Sequence, residues 1–332
     1  MGVSKFVPLS ILDLAIVGKG ETPRDALEGS VAIAQRAEER GYRRVWYAEH
    51  HNIASIASSA TSVLIAHIAA KTHTIRLGAG GIMLPNHAPL TIAEQFGTLE
   101  TLHPGRIDLG LGRAPGSDQN TMRALRRSVM SAESFPADVV ELRGFLTGQT
   151  VIPGVFAIPG TGTNVPLYIL GSSLFGAKVA ALLGLPYAFA SHFAPNSLQE
   201  AVALYRSEFQ ASEQLAEPYV LAGLNVIAAD SSDVAREHFH AVSRLRVALL
   251  LGRERNYSDE EADAILRSPQ GSHIAQMMTY SAIGTAEEVK EHVDAFAQHA
   301  NADEVIVVHQ GTTIEARLRS VDLLADVSGR LT

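Results

Sequence analysis

Three observations in the sequence predict an α/β chain closed as a single (β/α)8 TIM barrel over residues 1–332, with insertions after the fourth and seventh strands. Apolar, strand-length runs alternate with helix-period segments from one end to the other, giving eight β/α units. Those runs are apolar nearly throughout, as parallel strands covered on both faces require. No stretch rich in Pro, Gly or Ser divides the chain, which disfavours the competing architecture of an open doubly wound sheet with a second domain. A typical barrel takes roughly 250 residues, which leaves about 80 for insertions. Residues 114–135, 148–164 and 252–285 are the segments that hold them.

The first strand covers about residues 7–15. Thr22 is placed to cap the helix that follows, and Pro23 and Asp25 suit its first turn. Ala26, Val31, Ile33, Ala34 and Ala37 form its apolar face until Gly41 stops it. The second strand is 44–51, with a helix over about 59–71. The third is 75–84, and its helix, about 90–102, is closed by His103-Pro104-Gly105. The fourth is 107–112, with a helix over about 136–147. The fifth, 167–173, leads to a short helix ending at Gly184. The sixth is 187–193, and Asn196 is expected to cap the next helix. The seventh is 219–229, with Ser231 or Ser232 capping a long helix. The eighth is 304–310, and the last helix ends near Val327.

Composition narrows the function. The chain has 27 Lys and Arg against 35 Asp and Glu, a net charge of −8, and no block of like charges. That balance argues against binding a nucleic-acid backbone or an anionic membrane. The absence of cysteine excludes a disulfide framework, thiolate metal sites, iron–sulfur clusters and a cysteine nucleophile. The segment 53–70 is free of charge, but its serines, Thr61 and His67 mark a buried helix and not a membrane span. Phe6 stands where a myristoylation signal wants Ser or Thr, and no apolar signal core follows a basic start. A cytoplasmic protein is expected.

Four clusters sit at the ends of expected strands, where a barrel builds its active face. Glu49-His50-His51-Asn52 follows the second strand. Successive strand residues point oppositely, so His50 and His51 should not both enter the pocket. A metal site is disfavoured, because HExxH is absent and His238 and His240 fall on different faces of a helix. Gly78-Ala79-Gly80-Gly81 puts three glycines in the third strand, marking either a bulge or the close approach of a flat ligand. Pro85-Asn86-His87-Ala88-Pro89 follows it as a rigid turn. The run GLGRAPG, residues 110–116, fails as a dinucleotide fingerprint, because Pro115 occupies the third glycine position. Its glycines and Arg113 suit an anion instead. Gly171-Ser172-Ser173-Leu174-Phe175-Gly176 opens a helix, which makes either a phosphate site or an ordinary cap.

Taken in order, EHH after VWYA, GAGGIMLPNHAP, AEQFGTLETLHPGRIDLGLGRAPG, and GSS followed by GLPYAFASHFAP resemble the bacterial luciferase-like flavin monooxygenases. The match spans most of the chain and is nearest the broad branch of uncharacterised luciferase-like oxidoreductases. The resemblance implies a TIM barrel that binds reduced FMN and reacts it with O2 to oxidise a small organic substrate. It makes His50 the candidate general base. It makes Gly80 and Gly81 the dipeptide with a cis bond under the flavin ring. Arg113 and Ala114 join Ser172, Ser173 and Gly176 as the candidate phosphate-binding residues. Gly112 stands where the light-emitting luciferases have a reactive cysteine, so light emission is not implied. The segment 252–285 matches a mobile lid in position. No NAD(P)H fingerprint is visible, so a separate NAD(P)H:flavin reductase is the expected partner, and the chain itself is expected to form a homodimer. Two other readings suit the same residues: hydride transfer with the deazaflavin F420, and a non-catalytic flavin-binding protein.

Overall fold

The computed structural model describes residues 7–18, 20–114, 118–251 and 257–329. Its strands are β1 Leu9–Asp13, β2 Arg44–Tyr47, β3 Arg76–Met83, β4 Ile107–Gly112, β5 Leu167–Gly171, β6 Tyr187–Phe189, β7 Val220–Ala228, β8 Ser281–Gly284 and β9 Glu304–His309. The helices are α1 Pro23–Arg40, α2 Thr61–Ala69, α3 Pro89–Leu102, α4 Gln119–Ala124, α5 Phe135–Thr147, α6 Leu174–Leu183, α7 Leu198–Glu208, α8 Ser232–Leu251, α9 Asp259–Leu266, α10 Pro269–Met277, α11 Ala286–His299 and α12 Ile314–Ser328. All strand pairs are parallel, and eight strands close a barrel in the order β1-β2-β3-β4-β5-β6-β7-β9, sealed between β9 and β1. The expected TIM barrel is the fold.

Local chemistry explains most element ends. Thr22 and Asp25 form a reciprocal capping box on α1, and Gly41, at φ 78°, ends it in the left-handed region. Ser231 caps α8 by accepting a hydrogen bond from the Val234 amide at 3.3 Å. Asn196 does not cap α7. Ser197 holds the cap position without a side-chain bond, and Asn196 Oδ1 accepts from Gln276 of α10 at 3.3 Å. A tertiary contact takes up the side chain that local sequence offered to the helix.

One strand was not expected. β6 has three residues and β7 has nine, so β7 outlasts its neighbour. Val220 to Ala222 pair with β6, and Asn225 to Ala228 pair higher up with Ser281 to Gly284 of β8. A backbone edge left bare above a short strand needs hydrogen-bond partners, and β8 supplies them. The segment 252–285 is therefore no plain insertion: it holds α9, α10 and β8, and Thr285 caps α11. Residues 252–256 lie outside those described.

Strand alternation sorts side chains into two sets. Ile11, Val45, Tyr47, Leu77 and Ala79 join the large cluster between barrel and helices. Leu12, Trp46, Ala48, Tyr168, Ala188, Leu221, Ile306 and Val308 fill the barrel interior. Below them, Arg44 pairs with Asp108 at 2.8 Å and Glu304 at 3.0 Å, closing that end with a buried ion network. No helix among the described residues is long and apolar enough to cross a membrane.

Candidate active site

Following the inward alternation up each strand and past the shorter ones builds the open mouth. Trp46 and Ala48 lead to His50, Tyr168 and Leu170 to Ser172, Ala188 to His192, Leu221 to Gly223 and Asn225, and Ile306 and Val308 to Gln310. Glu49 and His51 take the other parity with Tyr47. His50 and His51 thus diverge, as the alternation rule expects.

Glu49 is the hub of the β2–β3 rim and is 1% exposed. Its carboxylate accepts from Nε2 of His51 at 2.8 Å, from Nε2 of His87 at 2.9 Å and from the Met83 amide at 3.0 Å. Burial alone would raise its pKa, but these bonds hold it down to about 2. The bond to Glu49 raises the pKa of His51. The bond from the Met83 amide pins the exit of β3, where the chain leaves the glycine-rich segment. Among the described residues no group of three or more His, Cys, Asp or Glu is placed to hold a metal ion.

The Gly80–Gly81 peptide is cis, as expected. The β3–β4 register also shifts between Ala79 and Ile82, so the bulge reading holds as well. A Cβ at Gly80 would stand 2.7 Å from Leu12 Cδ1 and 2.8 Å from Trp46 Cβ, and one at Gly81 would stand 2.7 Å from the Gly110 carbonyl oxygen. Only glycine fits either position.

His50 is half-buried, and burial lowers its pKa, leaving a neutral imidazole at pH 7. Its Nδ1 is enclosed without a partner, while its backbone amide donates to the Ser58 carbonyl at 3.2 Å. Arg113 is exposed just past β4, its guanidinium 4.1 Å from the centre of the Phe175 ring in the first turn of α6. No carboxylate among the described residues pairs with it. Ser172 and Ser173 are exposed beside it, and the Ser173 hydroxyl makes no capping bond. The first amides of α6 are therefore free for an anion. Ala114 is exposed next to Arg113. Gly176 has a different part: it is buried, and a Cβ there would stand 3.4 Å from Gly171 Cα and Tyr187 Cε2, so its small size lets α6 seat against β5.

Register places these groups in a row on successive strands. Tyr47 pairs with Ala79, Met83 with Gly112, and Gly112 with Leu170. His50, Gly80–Gly81, Arg113 and Ser172–Ser173 thus follow one another around the rim over β2 to β5. Neighbouring strands lie about 4.8 Å apart, so the anion-friendly loop is roughly 10 Å around the rim from the glycine shelf. Two hydrogen bonds tie Asp118 and Arg127 to the rim over β2 and β3. Asn52 donates to Asp118 at 3.1 Å, and Arg127 donates to the Asn86 carbonyl at 3.2 Å. Residues 115–117 lie outside those described.

Sequence reasoning missed the facing side of the mouth. His192, Asn225 and Gln310 line it, and Arg246 reaches Asn225 from α8. Continued inward alternation was a usable signal for the first three. Nothing local marked Arg246. Glu49 and His87 stood inside noted clusters, but their pairing across 38 residues is a tertiary fact.

The luciferase-like monooxygenase family model matches residues 9–303. A luciferase-like monooxygenase of Escherichia coli K12 is 46% identical over 330 residues, covering 98% of each chain. The N-acetyl-S-alkylcysteine monooxygenase of Bacillus subtilis is 35% identical, covering 97% of this chain and 98% of its own. The crystal structure of apo-MsnO8 superposes with a TM-score of 0.88 at 32% identity, covering 98% of this chain and 99% of that one. With the closed barrel and this mouth, these likenesses show that the chain belongs to the luciferase-like monooxygenase family and is an oxidoreductase of that kind.

Proposed function

We propose that the protein is the oxygenase of a two-component system, taking reduced FMN from a separate NAD(P)H:flavin reductase and using O2 to oxidise a small organic substrate. The observation that carries this reading is the row on β2 to β5: an unpaired arginine beside the uncapped start of α6, a side-chain-free glycine shelf, and a neutral histidine. These residues fit FMN, whose phosphate needs several donors and a cation at one end of a flat ring system. Arg113, Ser172, Ser173 and the first amides of α6 would hold the phosphate, and Gly80–Gly81 would lie against the ring. The group held there would supply the two electrons with which O2 gives one oxygen atom to the substrate and the other to water.

The chain's own part is to orient and to move a proton. His50 has no described partner at Nε2, and its neutral imidazole accepts a proton there, the role of a general base. Glu49 fixes the rim beside it through Met83 and His87. Asp118 and Arg127 are tied to the rim over β2 and β3 through Asn52 and the Asn86 carbonyl.

Titration with FMN and riboflavin tests the anion site: FMN should bind much more tightly. Turnover should require O2 and a flavin reductase, and NADH or NADPH alone should not support it. Equal affinity for the two flavins overturns the phosphate assignment. Oxygen-independent hydride transfer with F420 replaces the oxygenase reading.

A further inference from the structure

The wall opposite the flavin row holds a cation that the chain itself does not neutralise. Arg246 reaches the rim from α8 and donates to Asn225 Oδ1 at 3.3 Å. Asn225 is fully engaged: it accepts from Gln310 Nε2 at 2.8 Å and donates to the carbonyls of His192 at 2.7 Å and Tyr280 at 3.2 Å. The side-chain amide thus aims its one acceptor at the guanidinium. No Asp or Glu among the described residues forms an ion pair with Arg246, although the same helix pairs Arg244 with Asp263 at 2.6 Å and Asp259 at 3.3 Å. Arg246 is half-buried, and burial brings its pKa down only to about 10, so it remains a cation at pH 7.

Beside it lies His192, 9% exposed, with Nδ1 enclosed and unpartnered. A Cβ on Gly223 would stand 2.3 Å from that nitrogen, so the glycine is what admits the ring. Burial first, then the charges of Arg246 and His50, bring the pKa of His192 down to about 3. A neutral histidine cannot answer a buried negative charge as a cation. Arg246 can, and half-buried cations are costly to leave unpaired.

Position separates this charge from the flavin phosphate. Arg113 and α6 stand over β4 and β5, whereas Asn225 lies in β7, across the barrel from β3, and Gln310 follows the neighbouring β9. We propose that Arg246 is a substrate-recognition residue: the substrate carries a carboxylate that pairs with its guanidinium, leaving the oxidisable end between His50 and the glycine shelf. This rests on the monooxygenase reading for its second half only, because recognition of the carboxylate needs no flavin.

The test uses calorimetry on the flavin-free and FMN-loaded protein with three carboxylates, N-acetyl-L-methionine, 4-phenylbutyrate and octanoate, each against its neutral primary amide. At least one acid should bind about 10- to 100-fold more tightly than its amide, as a charge-assisted pair requires. Arg246→Gln should bring that acid to the affinity of its amide while FMN affinity stays unchanged, and Arg246→Lys should restore part of the difference. Equal binding of every acid and amide, or no binding of any acid, overturns the proposal. A variant that loses FMN and keeps acid selectivity also overturns it, placing the cation on the flavin. Failure of FMN to bind at all would sink the monooxygenase reading but leave acid selectivity measurable in the flavin-free protein.

Discussion

The two ends of the barrel use the same residue types to opposite effect. At the closed end, Arg44 is 2% exposed and pairs with Asp108 and Glu304. Trp46 Nε1 also donates to Asp108 at 3.1 Å, Tyr168 accepts from Arg44 at 2.7 Å, and Tyr219 donates to Glu304 at 2.7 Å. At the open end, Arg246 and Arg113 have no carboxylate among the described residues, and His50 and His192 each keep an enclosed nitrogen without a partner. Paired charges tie the closed end together; on the proposed reading, the unpaired groups at the open end meet ligands. Glu49 with its two histidines is the exception at the mouth, a paired cluster that steadies the unpaired groups around it.

The comparison breaks most sharply at His50. His50→Ala should cut turnover by about 10²- to 10⁴-fold, the usual loss of a positioned acid–base group, while FMN affinity and the melting temperature hold. His51→Ala should be milder in turnover, because its bond runs to Glu49. If His50→Ala lowers the melting temperature more than turnover, His50 belongs with the structural set.

At the closed end the effect should fall on stability instead. Asp108→Ala strips partners from Arg44, Arg76 and Trp46 at once and should cost about 3–5 kcal/mol in urea unfolding. A loss below about 1 kcal/mol would mean that the network contributes little.

Arg113→Ala sharpens the contrast from the ligand side. It removes one charge-assisted partner, so FMN should weaken by about 10- to 150-fold with stability almost unchanged, since the side chain is exposed. Unchanged FMN affinity would remove Arg113 from the phosphate site.

The effect that is smallest at neutral pH, and that grows only in acid, comes from two buried histidines. Burial holds His192 and His309 each at about 3, below the ordinary histidine value near 6.5. Below 6.5 the unfolded chain takes up protons that the native chain refuses, so their stabilising contribution is full above 6.5 and is lost as pH falls toward 3. Each histidine adds a slope of up to about 1.4 kcal/mol per pH unit in that window. His309 has bonds at both ring nitrogens, to Ser320 at 2.8 Å and Tyr42 at 3.3 Å, so His309→Gln should flatten the slope but lower stability at pH 7. His192, with an enclosed and unpartnered Nδ1, should flatten it on His192→Gln at a smaller cost at pH 7. Identical pH profiles for wild type and both variants would show that neither histidine is held neutral.

What was legible follows from the range of the interactions. The eight barrel strands, the Thr22 cap, the Gly41 stop and the Ser231 cap rest on periodicity and on neighbours within four residues, so local sequence determined them. The cis Gly80–Gly81 bond and the gathering of Arg113 with Ser172 and Ser173 also answer to local motifs placed on adjacent strands. Only the tertiary structure decided the rest. Whether β7 needs β8 depends on how short β6 is, a length that shows only when the two lie side by side. Asn196 lost its cap role to Gln276, a residue 80 positions away. The Glu49–His87 pair and the reach of Arg246 to Asn225 join side chains 38 and 21 residues apart, and the pairing of β2 with β3 and the packing of α8 on β7 bring them within bonding distance. Periodicity is a property of one segment; an unpaired charge is a property of everything packed around it.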